Sequence, residues 1–227
     1  MSKKASGRPV LSILAVGNAT VGKTSIIKAF NGESFSHTYL ATIVKKDLTY
    51  VNTEIDIDGV KTKIRAKVWD TAGQERFQTL IAQTIHNTEG IFIVYDVTEQ
   101  STFNDLEKWI EKLDDLVTIN AFPIIVIGNK IDLTEKRVVK KEVAEEFCQS
   151  HGFPYFETTC KKSETVFPAI KCLLQKVYIA NRDMYEVKSE PTEEKPVVTL
   201  EESKCCGGKK KEKNNNTKLD KRLTIKS

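Results

Sequence analysis

A doubly wound α/β sheet is the fold class this sequence predicts, and three observations predict it. Residues 90–94 (GIFIV) and 123–127 (PIIVI) are nearly continuous apolar runs, as central parallel strands covered on both faces require. Between them, Phe103, Leu106, Trp109, Ile110, Leu113 and Leu116 recur at helical spacing. Ahead of both, the apolar run at 10–16 leads through a glycine-bearing turn into a helical pattern at 24–30. Strands that alternate with helices in this way wind a sheet with helices on both sides. Ligands of such sheets bind at the carboxyl ends of the strands.

In order along the chain, residues 1–9 are short, polar and basic, and the folded domain is expected over 10–182. With 227 residues and 40% hydrophobic content, one packed domain and a tail are expected. Asn31-Gly32 offers a stop to the first helix. Two strand-like runs flank Asp58-Gly59, a two-residue hairpin signal. In the second of them Ile64, Ala66 and Val68 alternate with Lys63, Arg65 and Lys67, the pattern of a strand with one wet face. Ser101 is the expected cap of the helix that carries Trp109. Further helices carry Val143, Ala144, Phe147 and Cys148, then Val166, Ile170, Leu173, Leu174 and Val177, with a strand at 153–156 between them. Residues 183–227 are expected to form a disordered, basic tail that holds Cys205 and Cys206.

The formal net charge of +4 is modest, and the positive residues crowd into the stretch after Lys204. Five cysteines lack metal-site spacing, and Cys148 and Cys172 fall where a small buried hydrophobe fits a helix, so a reducing compartment is expected. No run has the length for a bilayer crossing or the form of a secretory signal, and Ser2 replaces the glycine that N-myristoylation needs. The expectation is a cytoplasmic protein. The basic tail lacks interleaved aromatics, which argues against nucleic acid. His37, His86 and His151 are scattered and make no metal site.

The chemistry lies at the turns. Residues 17–24 (GNATVGKT) have the spacing of a loop that wraps nucleotide phosphates, with backbone N–H groups and a helix N-terminus turned toward the anion. The candidate binding residues here are Gly17, Ala19, Thr20, Val21, Gly22, Lys23, Thr24 and Ser25. Lys23 would reach the β- and γ-phosphates and Thr24 would ligate magnesium. At the end of the second hairpin strand, in WDTAGQERF, Asp70 can hold magnesium through a water, and Gly73 lets a backbone N–H approach the γ-phosphate. Gln74 can orient a water for in-line attack. An ordinary turn also favours Asp70 and Gly73. In GNKID, Asp132 can accept hydrogen bonds from N1–H and the exocyclic amine of guanine, a pattern adenine lacks. The stem of Lys130, beside Asn129, can lie across the base. The loop ETTCK, with Thr159, Cys160 and Lys161, offers amides to the guanine oxygen.

Taken in order, GNATVGKT, WDTAGQERF, VYDVT, GNKID and ETTCK resemble the motifs of the Ras-superfamily small GTPases, and the unbroken WDTAGQERF and VYDVT are similar to those of the Rab family. The similarity spans residues 11–180. It implies a small G domain: a six-stranded, mostly parallel sheet with one antiparallel hairpin strand and about five helices. It also implies GTP or GDP with Mg2+, and a slowly hydrolysing switch in vesicle traffic. By the same resemblance Phe35 packs against guanine, Tyr39 covers the phosphates, and Thr42 closes on magnesium and the γ-phosphate. Lys23, Thr42 and Gln74 are then the catalytic residues. The implied partners are a guanine-nucleotide exchange factor, a GTPase-activating protein, effectors and, as a further candidate, a GDP-dissociation inhibitor. The protein is expected to be a monomer that cycles to the cytosolic face of an internal membrane.

Several positions depart from the family. Ala19 and Thr20 stand where relatives carry small or glycine residues, and Thr20 is expected to alter backbone freedom in the loop. Residues 44–47 (VKKD) replace the family's Gly-Val-Asp-Phe, Thr84-Ile85 replaces paired tyrosines, and only Trp69 and Phe77 remain of the aromatic effector surface. Residues 207–227 follow Cys205-Cys206, so the usual terminal prenylation is not expected. Acylation of both cysteines beside a polybasic patch would hold a membrane; the alternative is a solvated tail with bare thiols. The rival function is a module that holds nucleotide with little or no hydrolysis. A P-loop kinase that uses ATP is disfavoured by Asn129 and Asp132.

Overall fold

The computed structural model describes residues 8–35, 47–71, 82, 84–119 and 122–186. The expected site residues Tyr39, Thr42, Gly73, Gln74, Cys205 and Cys206 lie outside the described residues. So do most of the altered first-switch stretch and the tail after Glu186.

Six strands form one sheet in the order β2-β3-β1-β4-β5-β6. They are β1 (Val10–Val16), β2 (Asp47–Ile57), β3 (Val60–Asp70), β4 (Gly90–Asp96), β5 (Ile124–Asn129) and β6 (Tyr155–Thr158). All pairings are parallel except that of β2 with β3. The α-helices among the described residues include α1 (Lys23–Phe30), α2 (Gln100–Asn104), α3 (Leu106–Asp114), α4 (Lys141–Ser150), α5 (Ser163–Ala180) and α6 (Arg182–Glu186). The hairpin turn falls where expected: Asp58 and Gly59 both have positive φ, 52° and 83°, and Ile57 pairs with Val60. That is the two-residue turn whose twist matches the flanking strands.

The continuous apolar strands are continuous because both of their faces are covered. Leu11, Ile13, Phe92, Val94, Ile125 and Ile127 enter one core with Ile26 and Phe30 of α1 and Ile170, Leu173, Leu174 and Val177 of α5. Their neighbours in sequence, Leu14, Val16, Ile91, Ile93, Ile124 and Val126, point to the opposite face and meet Leu106, Trp109 and Leu113 of α3 with Ala144 and Cys148 of α4. A side-chain period of two in the strands feeds two helical layers. Each fully buried Leu or Ile contributes about 1.5–3 kcal/mol over an exposed one.

Three details differ from expectation. The helix expected from Ser101 is two helices, because the chain bends at Asp105, and Ser101 lies inside α2 instead of capping it. The capping position is Glu99; Thr102 organises the turn, its hydroxyl donating to the Glu99 carbonyl and accepting from the Asp96 amide. The expected boundary after residue 182 falls inside α6, where Tyr185 is buried and stacks on Tyr178, so the packed chain continues to Glu186. Cys148 is buried as expected, whereas Cys172 is only partly covered.

Candidate functional site

The ends of β1, β3, β5 and β6 bring most of the described candidate residues into one region. The loop after β1 turns into α1 at Gly22, whose φ of 102° belongs to the left-handed region. A Cβ there would stand 2.3 Å from the Asn129 side-chain nitrogen. Glycine is therefore required twice at this position, for the turn and for the approach of Asn129. No side chain caps α1 and no acidic residue stands in its first turn, which leaves its N-terminal field positive.

Lys23 lies across this loop and is 5% exposed, with Nζ donating to the carbonyls of Gly17 at 2.9 Å and Asn18 at 2.7 Å. Burial pushes its ammonium down from 10.5 to about 8, against the nearby Asp70 charge, which raises it. Beside it the Thr24 hydroxyl donates to Asp70 Oδ2 at 2.5 Å. Thr71 ties the same strand end to the Ala15 carbonyl at 2.7 Å. Hydroxyl and carboxylate oxygens converging beside a buried ammonium form the hard-oxygen donor set that suits Mg2+.

Thr20 carries strain. Its φ of 63° is left-handed, a region that costs a non-glycine residue about 1–2 kcal/mol, and β-branching makes it a clear outlier. Thr20→Gly is expected to stabilise the fold by about 0.5–1 kcal/mol after glycine's own entropy cost, raising the melting temperature by about 2 °C. Calorimetry reads this directly; an unchanged or lower melting temperature would rule out the strain.

At the other end, Asn129 is 2% exposed and joins three loops. Its amide donates to the Val21 carbonyl at 2.8 Å, and its oxygen accepts from the Thr158 hydroxyl at 3.2 Å and the Cys160 thiol at 3.6 Å. Asp132 accepts from the Thr159 hydroxyl at 2.6 Å and pairs with Lys161 at 2.7 Å. Burial works against ionisation of Asp132, but the hydrogen bonds from Lys161 and Thr159 outweigh it and hold the carboxyl below the usual carboxylate range. Thr159 N–H donates to the Thr165 hydroxyl at 3.0 Å, so this amide of the expected base-binding set already has a protein partner. Beneath the loop, Arg137 grips Glu157 with two hydrogen bonds of 2.8 and 2.9 Å.

Lys130 sits in the left-handed region at φ 70°, and its ammonium reaches Asp96 Oδ2 at 2.6 Å. The other oxygen of buried Asp96 accepts from the amide and hydroxyl of Thr98. This anchor was not visible as a site feature in the sequence, where Asp96 counted only as part of VYDVT. Phe35 is 40% exposed.

The sequence model of the Ras family matches residues 12–179. The chain belongs to the Ras family. Among its relatives, the GTP-binding protein YPT1 of Saccharomyces cerevisiae is 34% identical over 168 residues, covering 74% of this chain and 79% of its own length. The Ras-related protein Rab-13 of Bos taurus is 34% identical over 170 residues, covering 75% of this chain and 81% of its own, and the Canis lupus familiaris Rab-13 matches to the same extent. This is a Rab-like small GTPase, which hydrolyses GTP and binds GTP and GDP in the manner of its family. Its six-stranded sheet with one antiparallel pair is the small G domain.

Proposed function

We propose that this GTPase is a guanine-nucleotide switch of membrane traffic, with the phosphates at the loop 17–24 and the base at Asp132. The observation that carries the reading is the buried Asn129, which couples the loop after β1 to the loops that hold Asp132 and Thr159. One rigid polar knot thereby fixes the spacing between a phosphate site and a base site. Gly17, Ala19, Thr20, Val21, Gly22 and Ser25 line the phosphate site, Lys23 supplies its charge, and the loop of Cys160 and Lys161 flanks the base with Lys130 and Phe35. Tyr39 and Gly73 close over the phosphates.

Thr24 and Thr42 would hold Mg2+ and Asp70 would hold it through a water, and the ion would offset phosphate charge. Lys23 holds a positive charge against the phosphates, and Gln74 orients the attacking water. Departure of the γ-phosphate releases the segments around Thr42 and Gly73, and effectors distinguish the two states. Slow turnover calls for an exchange factor and a GTPase-activating protein, and a GDP-dissociation inhibitor suits a monomer that leaves the membrane. The protein cycles between cytoplasm and the cytosolic face of an internal membrane, which Cys205 and Cys206 engage together with the basic tail. No described helix is long and apolar enough to cross that membrane.

Single-turnover hydrolysis of bound GTP tests the assignment. Gln74→Leu is expected to slow it by about ten- to a hundredfold while GDP affinity stays at the parent's value. A variant that hydrolyses as fast as the parent removes Gln74 from the mechanism.

A further inference from the structure

The second residue of the phosphate loop is held from outside the nucleotide motifs. Asn18 Nδ2 donates to Asp105 Oδ2 at 2.6 Å, and Asn18 Oδ1 accepts from the indole N–H of Trp109 at 2.8 Å. Its main-chain carbonyl meanwhile accepts from Lys23. Asp105 occupies the bend between α2 and α3, where it could have capped α3, yet its side chain makes no capping bond. Its two oxygens take Asn18 and Lys108 instead, the latter at 2.6 Å. Trp109 follows four residues later, one helical turn on, so both partners reach the loop from the same side of α3.

We propose that Asn18, clamped by Asp105 and Trp109, is a positioning residue that fixes the Gly17–Asn18 carbonyls against Lys23 and thereby sets how long bound nucleotide stays. An amide suits the position because it must donate to a carboxylate and accept from an indole N–H in one orientation. Aspartate at position 18 could accept but not donate, and would set two carboxylates against each other. The loop would then be free to drift from α3, and Lys23 with it. The inference rests on nucleotide being bound at this loop.

The test is a double-variant cycle on the full chain that exchanges donor and acceptor, read by release of a fluorescent GDP analogue. Asn18→Asp is expected to speed release roughly tenfold or more, the scale of a lost charge-assisted bond. Asp105→Asn keeps an acceptor for Asn18 and should stay within about threefold of the parent. The double variant restores one donor and one acceptor in reversed order and should return close to the parental rate. Trp109→Phe removes the indole donor together with part of a buried ring and should speed release by about threefold. The chain has two tryptophans, so the Trp109 indole proton can be followed by NMR; its slow exchange should vanish in Asn18→Asp and return in the double variant. If Asn18→Asp does not fold, Trp109→Phe and the parental indole signal decide. Parental release in Asn18→Asp, a double variant as fast as the single one, or a rapidly exchanging parental indole would each overturn the clamp. A parent that binds no GDP would instead overturn the nucleotide reading beneath it.

Discussion

Lys23→Met weakens binding of a non-hydrolysable GTP analogue by about a hundred- to ten-thousandfold. The ammonium lies at the centre of the phosphate loop, 5% exposed, and is aimed by two carbonyls at 2.9 and 2.7 Å. Charge-assisted bonds to phosphate contribute about 1.5–3 kcal/mol each, and the β- and γ-phosphates of the triphosphate are the two assigned to this side chain, which gives the stated range. Calorimetric titration with that analogue measures it, and an affinity within tenfold of the parent would contradict the assignment. The same substitution has a signature in the ligand-free protein. Lys23 titrates near 8 when folded against 10.5 as a free side chain, so between those values the unfolded chain binds the extra proton. Stability of the parent should therefore rise with pH across that window, through this group, by about 3 kcal/mol at most. Lys23→Met should lose that slope, as denaturant midpoints at pH 7.5 and 10 would reveal.

Asp132→Asn is the second large effect, because it changes which base is preferred. The carboxylate is positioned by Thr159 and Lys161 and stays ionised through them, ready to accept from two guanine donors. An amide presents one donor and one acceptor, so a guanine N–H is left facing an N–H. Loss of two charge-assisted bonds weakens GDP by about 10²- to 10⁴-fold. Xanthine carries a carbonyl where guanine carries the amine, and the new amide can donate to it. Competition between GDP and xanthosine diphosphate should therefore shift toward the latter. A variant that favours GDP by the parental margin would mean that Asp132 does not read the base.

Local chemistry made several parts of the fold legible. Asn31-Gly32 ends α1 because a small residue at φ 80° closes the helix, and Asp58-Gly59 forms its hairpin because both residues tolerate positive φ. The alternation of Ile64, Ala66 and Val68 with charged neighbours matches the one-sided burial of β3. The start of the helix around Trp109 is not legible in the sequence, because Ser101 has the right side chain for a cap, whereas in the packed turn it is Thr102 that bonds the Glu99 carbonyl. The strain at Thr20 has a sequence signal, a β-branched residue at a glycine position, but its sign and size come from φ.

The site divides along the same line. Glycine spacing, the lysine and threonine that follow, and the acidic residues that close β3 and follow β5 are short-range patterns, and by themselves they determined a nucleotide fold and its candidate residues. Which groups hold those residues in place was decided only by tertiary structure. Asn129 bonds across 108 positions to Val21, and Asn18 across 87 to Asp105 and 91 to Trp109. Hydrogen bonds of that reach depend on how neighbouring strands and helices stack, and periodicity along one chain carries no record of which distant donor will meet which acceptor.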